Sequence, residues 1–523
     1  MAFQNKKVYT AMRIKTIVVI LCLLTFMISC SVPEVVLKNE IDTGLHDMSS
    51  DQGSEITYSD LLSEIAAVNS ETAASSQNFS SVSASATSSE KSVTSSKKAE
   101  SKASSKAASK ASSKATSSSA PSQDNLQILG EMRGVWVAYY ELDFKGKSKQ
   151  EFTETMTLRF KKMKALGINA VFMHARSHSD AFYKSAYFPW SNYLTGTQGA
   201  DPGYDPFAVM CDLAHNEGLQ IHAWVNPYRI VTNSIPADMN KLADNNPGKM
   251  WFNDGSGDVL KLTNGNGLYY NPSSKRAREL IVNGIKEIIN KYNVDGIHFD
   301  DYFYPTSDLA FDLDSYNKFK ANPGGFYGID FSSAKYKNCL DGTKLETMSQ
   351  MQWRRTNINI LIADVYAAVK SKSSKLVFGI SPAGNISNNY NSLALDVSKF
   401  LSTSGFVDYM MPQIYFGFEH QYDYAKFDVM LNDWIKGNTN KNIKLYIGLA
   451  FYKAGGASES NAIAKLEWQN KNDIIMRQVQ LIKNTYKTHN QLKGFVFFAY
   501  TELFNDAVHF TLERENLLRV IKN

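Results

Sequence analysis

Two adjacent aspartates, Asp300 and Asp301, close an apolar run that reads VDGIHFDDYFYP from Val294 to Pro305. A carboxylate is expensive to bury unless it is paired or put to use. A pair at the end of such a run points to proton transfer, nucleophilic attack or cation binding. Other side chains suit the same chemistry. His174, Arg176 and His178 follow one another in AVFMHARSH, His222 and Asn226 stand in QIHAWVN, His298 precedes the aspartates, and Gln413 ends VDYMMPQ. Imidazole, guanidinium, amide and carboxylate can together move protons and hold polar ligands, provided that the fold gathers them.

From Glu131 onward, short runs rich in Val, Ile, Phe and Tyr alternate with longer helical stretches. That alternation is the signature of parallel strands joined by crossover helices. The spacing predicts strands at Gly134–Tyr139, Ala170–His174, Gln220–Asn226, Gly296–Asp300, Lys375–Ser381, Val407–Gln413, Leu445–Ala450 and Gly494–Tyr500. Helices are expected at Phe152–Leu166, Pro206–Glu217, Ser273–Tyr292, Trp353–Lys370, Lys426–Ile435, Asp473–His489 and Leu512–Ile521. Gly167 and Gly218 stand where left-handed helix ends are wanted. Eight strand–helix units make a single (β/α)8 TIM barrel with long βα loops. An open doubly wound sheet would want a Gly-rich phosphate loop after its first strand, and this chain has none there.

In a barrel, polar residues at the C-terminal ends of strands point into the mouth, where such sites are built. Alternation then aligns His174, Arg176 and His178 on the second strand and His222, Trp224 and Asn226 on the third. His298 and Asp300 share a face of the fourth, with Asp301 at the lip, and Gln413 and Tyr415 share one on the sixth. Aromatics crowd the loops: Tyr183 to Trp190 (YKSAYFPW), Tyr228, Tyr302, Phe303 and Tyr304. Sugar rings suit such surfaces, because their C–H faces stack and their hydroxyls need donors and acceptors. The insertion from Thr306 to Leu345 is long enough to cover a groove.

The first part of the chain has a different composition. Lys6, Lys7, Arg13 and Lys15 precede an apolar run from Ile17 to Ile28, too short to span a membrane comfortably. Met27-Ile28-Ser29-Cys30 resembles the lipobox of bacterial lipoproteins. Residues 1–30 are therefore expected to be a signal peptide, with Met1 or Met12 as its start and Cys30 lipidated on the outer face of the cell membrane. Residues 31–125 read as a disordered tether, with SKAS-SKAA-SKAS-SKAT from Ser101 to Thr116 and too few apolar residues to offset the entropy of ordering. Its reach would be roughly 50 Å. The net charge of +5 is modest and partly the tether's, so it implies no nucleic-acid partner. Cys211 and Cys339, the two cysteines outside the leader, allow one bridge and no cysteine-based metal cluster.

Residues 126–523 then form one domain whose longest motifs are RGVWVAY, the stretch from Ala175 through HAWVNPYR, VDGIHFDDYFYP, FGISPAGN and MPQIYFGF. These resemble glycosyl-hydrolase-like family ten, over about three quarters of the chain. The resemblance implies a (β/α)8 barrel, export from a bacterial cell, and hydrolysis of glycosidic bonds in polysaccharide, especially peptidoglycan strands stripped of stem peptides. It implies no cofactor or metal. The family's strand-four aspartate maps onto Asp300 and Asp301. Its polar mouth residues map onto Arg176, Asp180, His222, Asn226, Tyr228, Gln413 and Tyr415. Two positions depart from the pattern: Ser177 follows Arg176 where many relatives have Pro, and Phe416 follows Tyr415 where many have Trp.

Glycoside hydrolysis needs two carboxyl groups flanking the bond. Phase casts Asp300 as nucleophile or base, with Asp301 tuning it. Adjacent residues point apart, so the acid must come from another strand end. Glu419 is the first choice, and Glu502, Asp180 and Asp143 compete. Two other readings exist. One is a metal-dependent deacetylase with zinc held by His174, His178 and an aspartate. The other is a glycan-binding protein on an inactive barrel.

Overall fold

Strands that are apolar on both faces need cover on both, and this chain supplies it by closing its sheet. The computed structural model describes residues 131–234, 238–301 and 303–522. The expected leader, Cys30, the tether and Tyr302 lie outside them. The barrel strands are β1 (Met132–Val137), β2 (Ala170–Arg176), β3 (Gln220–Val225), β7 (Gly296–Phe299), β8 (Val377–Ile380), β9 (Tyr409–Met410), β10 (Lys444–Ala450) and β11 (Leu492–Phe498). They pair in parallel in that order, and β11 returns to β1. β4 (Arg229–Ser234), β5 (Val259–Lys261) and β6 (Asn266–Tyr270) form a separate antiparallel sheet within the loop after β3.

The crossover helices are α1 (Lys149–Leu166), α2 (Pro206–Asn216), α3 (Lys275–Lys291), α4 (Gln350–Lys372), α5 (Val397–Ser402), α6 (Phe427–Gly437), α7 (Ile474–Tyr486) and α8 (Val508–Ile521). All eight expected strands and seven expected helices are present, and α5 joins them. Starts moved for a local reason. Ser148 with Glu151, and Ser349 with Gln352, form capping boxes that begin α1 and α4 three residues before the apolar periodicity does. Gly167 takes the left-handed end of α1 at φ 97°. β9 is much shorter than expected, because Pro412 has no N–H for the ladder. Beyond it, Gln413 rejoins the sheet through isolated bridges to Ala383 and Gly448.

Two cores result. The larger lies between strands and helices. The smaller fills the barrel with Met132, Trp136, Phe172, Trp224, Tyr409, Tyr446 and Val496. Glycines face these large rings. A methyl group at Gly379 would run into the Tyr409 ring, and one at Gly134 would sit 2.9 Å from Phe172. Large and small residues thus interlock, as close packing of a barrel interior requires. Through that packing runs a buried hydrogen-bond chain. Trp136 Nε1 donates to His298 Nε2 (3.0 Å), His298 Nδ1 meets the Tyr409 hydroxyl (3.1 Å), and that hydroxyl approaches His222 Nδ1 (3.4 Å).

The 306–345 insertion is anchored rather than loose. Arg354 of α4 forks onto Asp312 with both side chains fully buried, and it donates to the carbonyls of Thr306 and Asp308. Phe319 and Tyr327 pack with Trp353 around the start of α4. The insertion therefore builds the outer rim beside β5 and β6, where Thr263 donates to Asp308. Cys211 and Cys339 are each buried and unpaired. Among the described residues, no helix is long and apolar enough to cross a membrane.

Gly379→Ala tests the interlock. The added methyl must displace the Tyr409 ring, and overpacking of this kind costs about 1–3 kcal/mol. Thermal denaturation should show a clear drop in Tm, and an unchanged Tm would mean that the interior is looser than described.

Candidate active site

Asp300 follows directly on β7, in phase with His298 below it, and the barrel wall buries it. Its Oδ1 accepts from Gln413 Nε2 (2.7 Å) and from the backbone N–H of Asp301 (2.9 Å). Gln413 also donates to the Ser381 carbonyl (3.0 Å), so strands β8 and β9 together aim the amide at the carboxyl. Burial, and then the charge of Asp301, push the Asp300 carboxyl well above its usual range. Burial likewise raises Asp301. The Arg229 guanidinium opposes both shifts. The two carboxyls therefore behave as a coupled pair that keeps hold of a proton.

On the β1–β3 side, His174 stacks on Trp224 with ring centres 3.4 Å apart. Its Nδ1 accepts from the Tyr139 N–H (3.2 Å), and its Nε2 faces the Asn226 amide (3.4 Å). Asn226 in turn accepts from Trp224 Nε1 (3.1 Å) and donates to the Ser177 carbonyl. Burial, and then Arg229, hold His174 well below the usual imidazole range, so it is neutral. His178 is lowered to about 3 by burial and by Arg229 and Arg176, and its Nδ1 meets the Ser177 hydroxyl (3.0 Å). The Tyr139 ring packs edge-on against both imidazoles. Both ring nitrogens of His174 are thus occupied within the protein. Among the described residues, no group of three or more His, Cys, Asp or Glu could hold a metal ion.

Aromatic rings flank the mouth. Tyr139 contacts Tyr140 and the exposed Tyr193 on one side. On the other, Tyr415 stacks on Phe498 (5.9 Å), and Tyr452 packs edge-on against both. The base of this wall rests on Trp136.

Several expected residues occupy other places. β2 shifts register between His174 and Arg176, which turns Arg176 out of phase with the mouth. Its guanidinium lies over Phe188 and donates to the carbonyls of His178 and Pro227, clamping the loops together. His222 faces inward but lies one layer below the mouth, fully buried against Phe172. The Tyr228 ring is buried in the outer core, within the field of Arg278 on α3 and Asp364 on α4. Trp190 packs on the same core. Asp180 is buried and raised to about 6 by desolvation, and it accepts from Gln198 in a network that continues to Asn246 and Ser179. Asp143 is exposed and pairs with Lys147.

Glu419 is half-exposed and pairs with Lys471 at 2.7 Å, which holds its carboxyl below the usual range. That direction is opposite to what a proton donor needs. Glu502 lies in the short helix Tyr500–Leu503 that follows β11. β11 is four strands from β7 either way round, so the helix that carries Glu502 follows the strand opposite the one that carries Asp300.

Besides the aromatics Tyr139, Tyr193, Tyr452 and Phe498, two charged residues were absent from the expected set. Arg229, whose charge acts on both aspartates and both histidines, begins β4, and only the run NPYR hinted at it. Glu141 is buried where it accepts from the N–H groups of Ala138 and Thr501, joining the ends of β1 and β11.

A carboxyl pair of raised pKa and aromatic walls thus stand at the mouth of a TIM barrel. The chain belongs to the glycosyl hydrolase-like 10 family, whose model matches residues 131–465. It is 32% identical to glycosyl hydrolase YngK of Bacillus subtilis over 394 residues, which is 70% of this chain and 69% of that protein. It is 30% identical to glycosyl hydrolase DigH of Escherichia coli K12 over 369 residues, 65% of this chain and 78% of that one. Among solved structures, the PgaB glycoside hydrolase domain of Bordetella bronchiseptica aligns with a TM-score of 0.45 at 14% identity, over 75% of this chain and 99% of that one. The protein is a TIM-barrel glycosidase.

The raised Asp300 carboxyl has a consequence for stability. A carboxyl whose pKa is raised by folding stabilises the folded state at pH below its unfolded value, and that contribution is lost as pH rises through the folded value. Asp300→Asn keeps the acceptor for Gln413 and removes the charge. It should raise Tm by about 2 °C or more at pH ~8 and by much less at pH ~4. Calorimetry that finds an equal or reversed effect across pH would count against a strained carboxyl.

Proposed function

We propose that the protein hydrolyses the glycan strands of peptidoglycan outside the cell, with Asp300 as the general acid. The observation that carries the chemistry is the buried, coupled Asp300–Asp301 pair held by Gln413. A carboxyl of raised pKa holds its proton to higher pH than a free aspartate does, and can deliver it to the leaving glycosidic oxygen. This reverses the role that strand phase alone suggested for Asp300. Asp301 raises its neighbour's proton affinity through like charge, and Arg229 limits the rise.

The second carboxyl is assigned to Glu502 in preference to Glu419. An acid and a nucleophile or base must approach the bond from different sides, and the ends of β7 and β11 face one another across the barrel. Glu419 is committed to Lys471. His174, Asn226 and Trp224 present a rigid polar and aromatic floor, and Tyr415, Tyr452 and Phe498 offer faces for sugar rings. The peptidoglycan assignment rests on the motif resemblance, together with the expected export signal, lipidation at Cys30 and a tether of roughly 50 Å. Such an arrangement would hold the enzyme at the membrane and let it sweep the adjacent wall.

The test uses the full-length protein and purified glycan strands, with and without stem peptides, with products read by mass spectrometry. The expected result is shorter saccharides carrying one added water. Asp300→Asn and Glu502→Gln should each lower kcat by about 10²–10⁴, whereas Glu419→Gln should stay within about twofold. Failure of the unaltered protein to cleave either kind of strand would remove peptidoglycan as the substrate.

The pH profile checks the acid role separately. Activity should fall as pH rises through the Asp300 value. Asp301→Asn removes the neighbouring charge, so the alkaline limb should move to lower pH. Arg229→Gln should move it up. An alkaline limb that neither variant shifts would mean that Asp300 is not the proton donor.

A further inference from the structure

The loop after β9 carries an aromatic pair that the mouth does not use. Tyr422 and Tyr424 are 49% and 58% exposed, and their rings stack at 5.3 Å with planes only 9° apart. His420 continues the row toward Phe416, which directly follows Tyr415 of the mouth wall. Stacked tyrosines held open to water are unusual unless something covers them.

Beside them is a cavity of about 190 Å³. Tyr424 forms one side, with Asn385, Ser387 and Asp433 as polar lining and Ile386 and Met430 as apolar lining. An aromatic face set beside amide, hydroxyl and carboxylate is what a pyranose ring needs. The volume suits one sugar residue and not a large ligand. Its position is tied to the catalytic mouth. Gly384, which also lines the cavity, packs so closely on the Gln413 carbonyl that a methyl group there would lie 2.5 Å away. Gln413 is the residue that donates to Asp300. The Gly384 carbonyl is fixed from behind by Trp434 Nε1 (2.7 Å), so this edge of the mouth is rigid.

We propose that this cavity is a distal subsite that holds a sugar residue of the same glycan strand, stacked on Tyr424 and hydrogen-bonded by Asn385, Ser387 and Asp433. The inference rests on the glycan-strand reading above and extends it. A subsite beyond the scission point makes the enzyme prefer long strands and cut within them. Short saccharides that fill only the mouth do not reach it.

The experiment measures kcat and KM for the full-length protein on a ladder of peptide-free glycan strands, from the disaccharide repeat to long chains. For the unaltered protein, KM should fall with length and then level off. Tyr424→Ala should raise KM about tenfold on long strands with kcat nearly unchanged, and leave the shortest cleavable strand unaffected. That factor corresponds to about 1.4 kcal/mol. Tyr424→Phe retains the ring and should behave as the unaltered protein. Asp433→Ala should reproduce part of the length-specific loss. Cleavage whose length dependence survives Tyr424→Ala overturns the subsite alone, as does a loss that is equal at every length. No cleavage of any rung by the unaltered protein overturns the glycan-strand reading, and the subsite with it.

Discussion

Keeping a carboxyl group dry at the end of a strand that is buried on both faces is the constraint on which this molecule turns. Water is excluded from Asp300 by the barrel wall, and an adjacent negative charge is placed beside it. Both effects disfavour ionisation. The hydrogen bonds from Gln413 and the Asp301 backbone and the field of Arg229 compensate only in part. What remains is a proton held more firmly than an aspartate in water holds one, and that is the property a glycosidase acid requires.

The barrel interior serves this end. Trp136, Phe172 and Tyr409 interlock with glycines on neighbouring strands, so the floor below Asp300 cannot collapse or slip. His298, directly below in phase, is itself locked between Trp136 and Tyr409. Burial keeps His298 and His174 neutral, so neither supplies a positive charge that would draw the proton off Asp300. The histidines that make the sequence look catalytic are thus mostly framework, and the positive charge that acts on the aspartates is that of Arg229.

Around the mouth, buried polar links hold the loops alongside their apolar packing. Glu141 joins the ends of β1 and β11, Arg176 clamps the loops after β2 and β3, and Arg354 fixes the rim insertion onto α4. Breaking such a link leaves a charge or donor buried and unpaired, which costs more than the link itself contributes. Loops held in this way are preorganised around the mouth.

The sequence by itself determined the architecture and the principal carboxyl pair. Strand and helix periodicities differ, the repeat of eight units matches one closed solution, and a polar residue ending a barrel strand has only the mouth to face. Asp300, Trp224, Asn226 and Gln413 were therefore legible. Tertiary structure decided the rest, because it depended on contacts that alternation does not encode. A register shift on β2 turned Arg176 away from the mouth, and His222 lies lower on its strand, level with Gly296, whereas Asn226 meets His174. Lys471, 52 residues distant, claimed Glu419. Arg229 entered the site through an accessory sheet that left little trace in the local pattern. Phase along one strand is a local property, whereas charge, depth and opposition across the mouth arise only when distant segments meet.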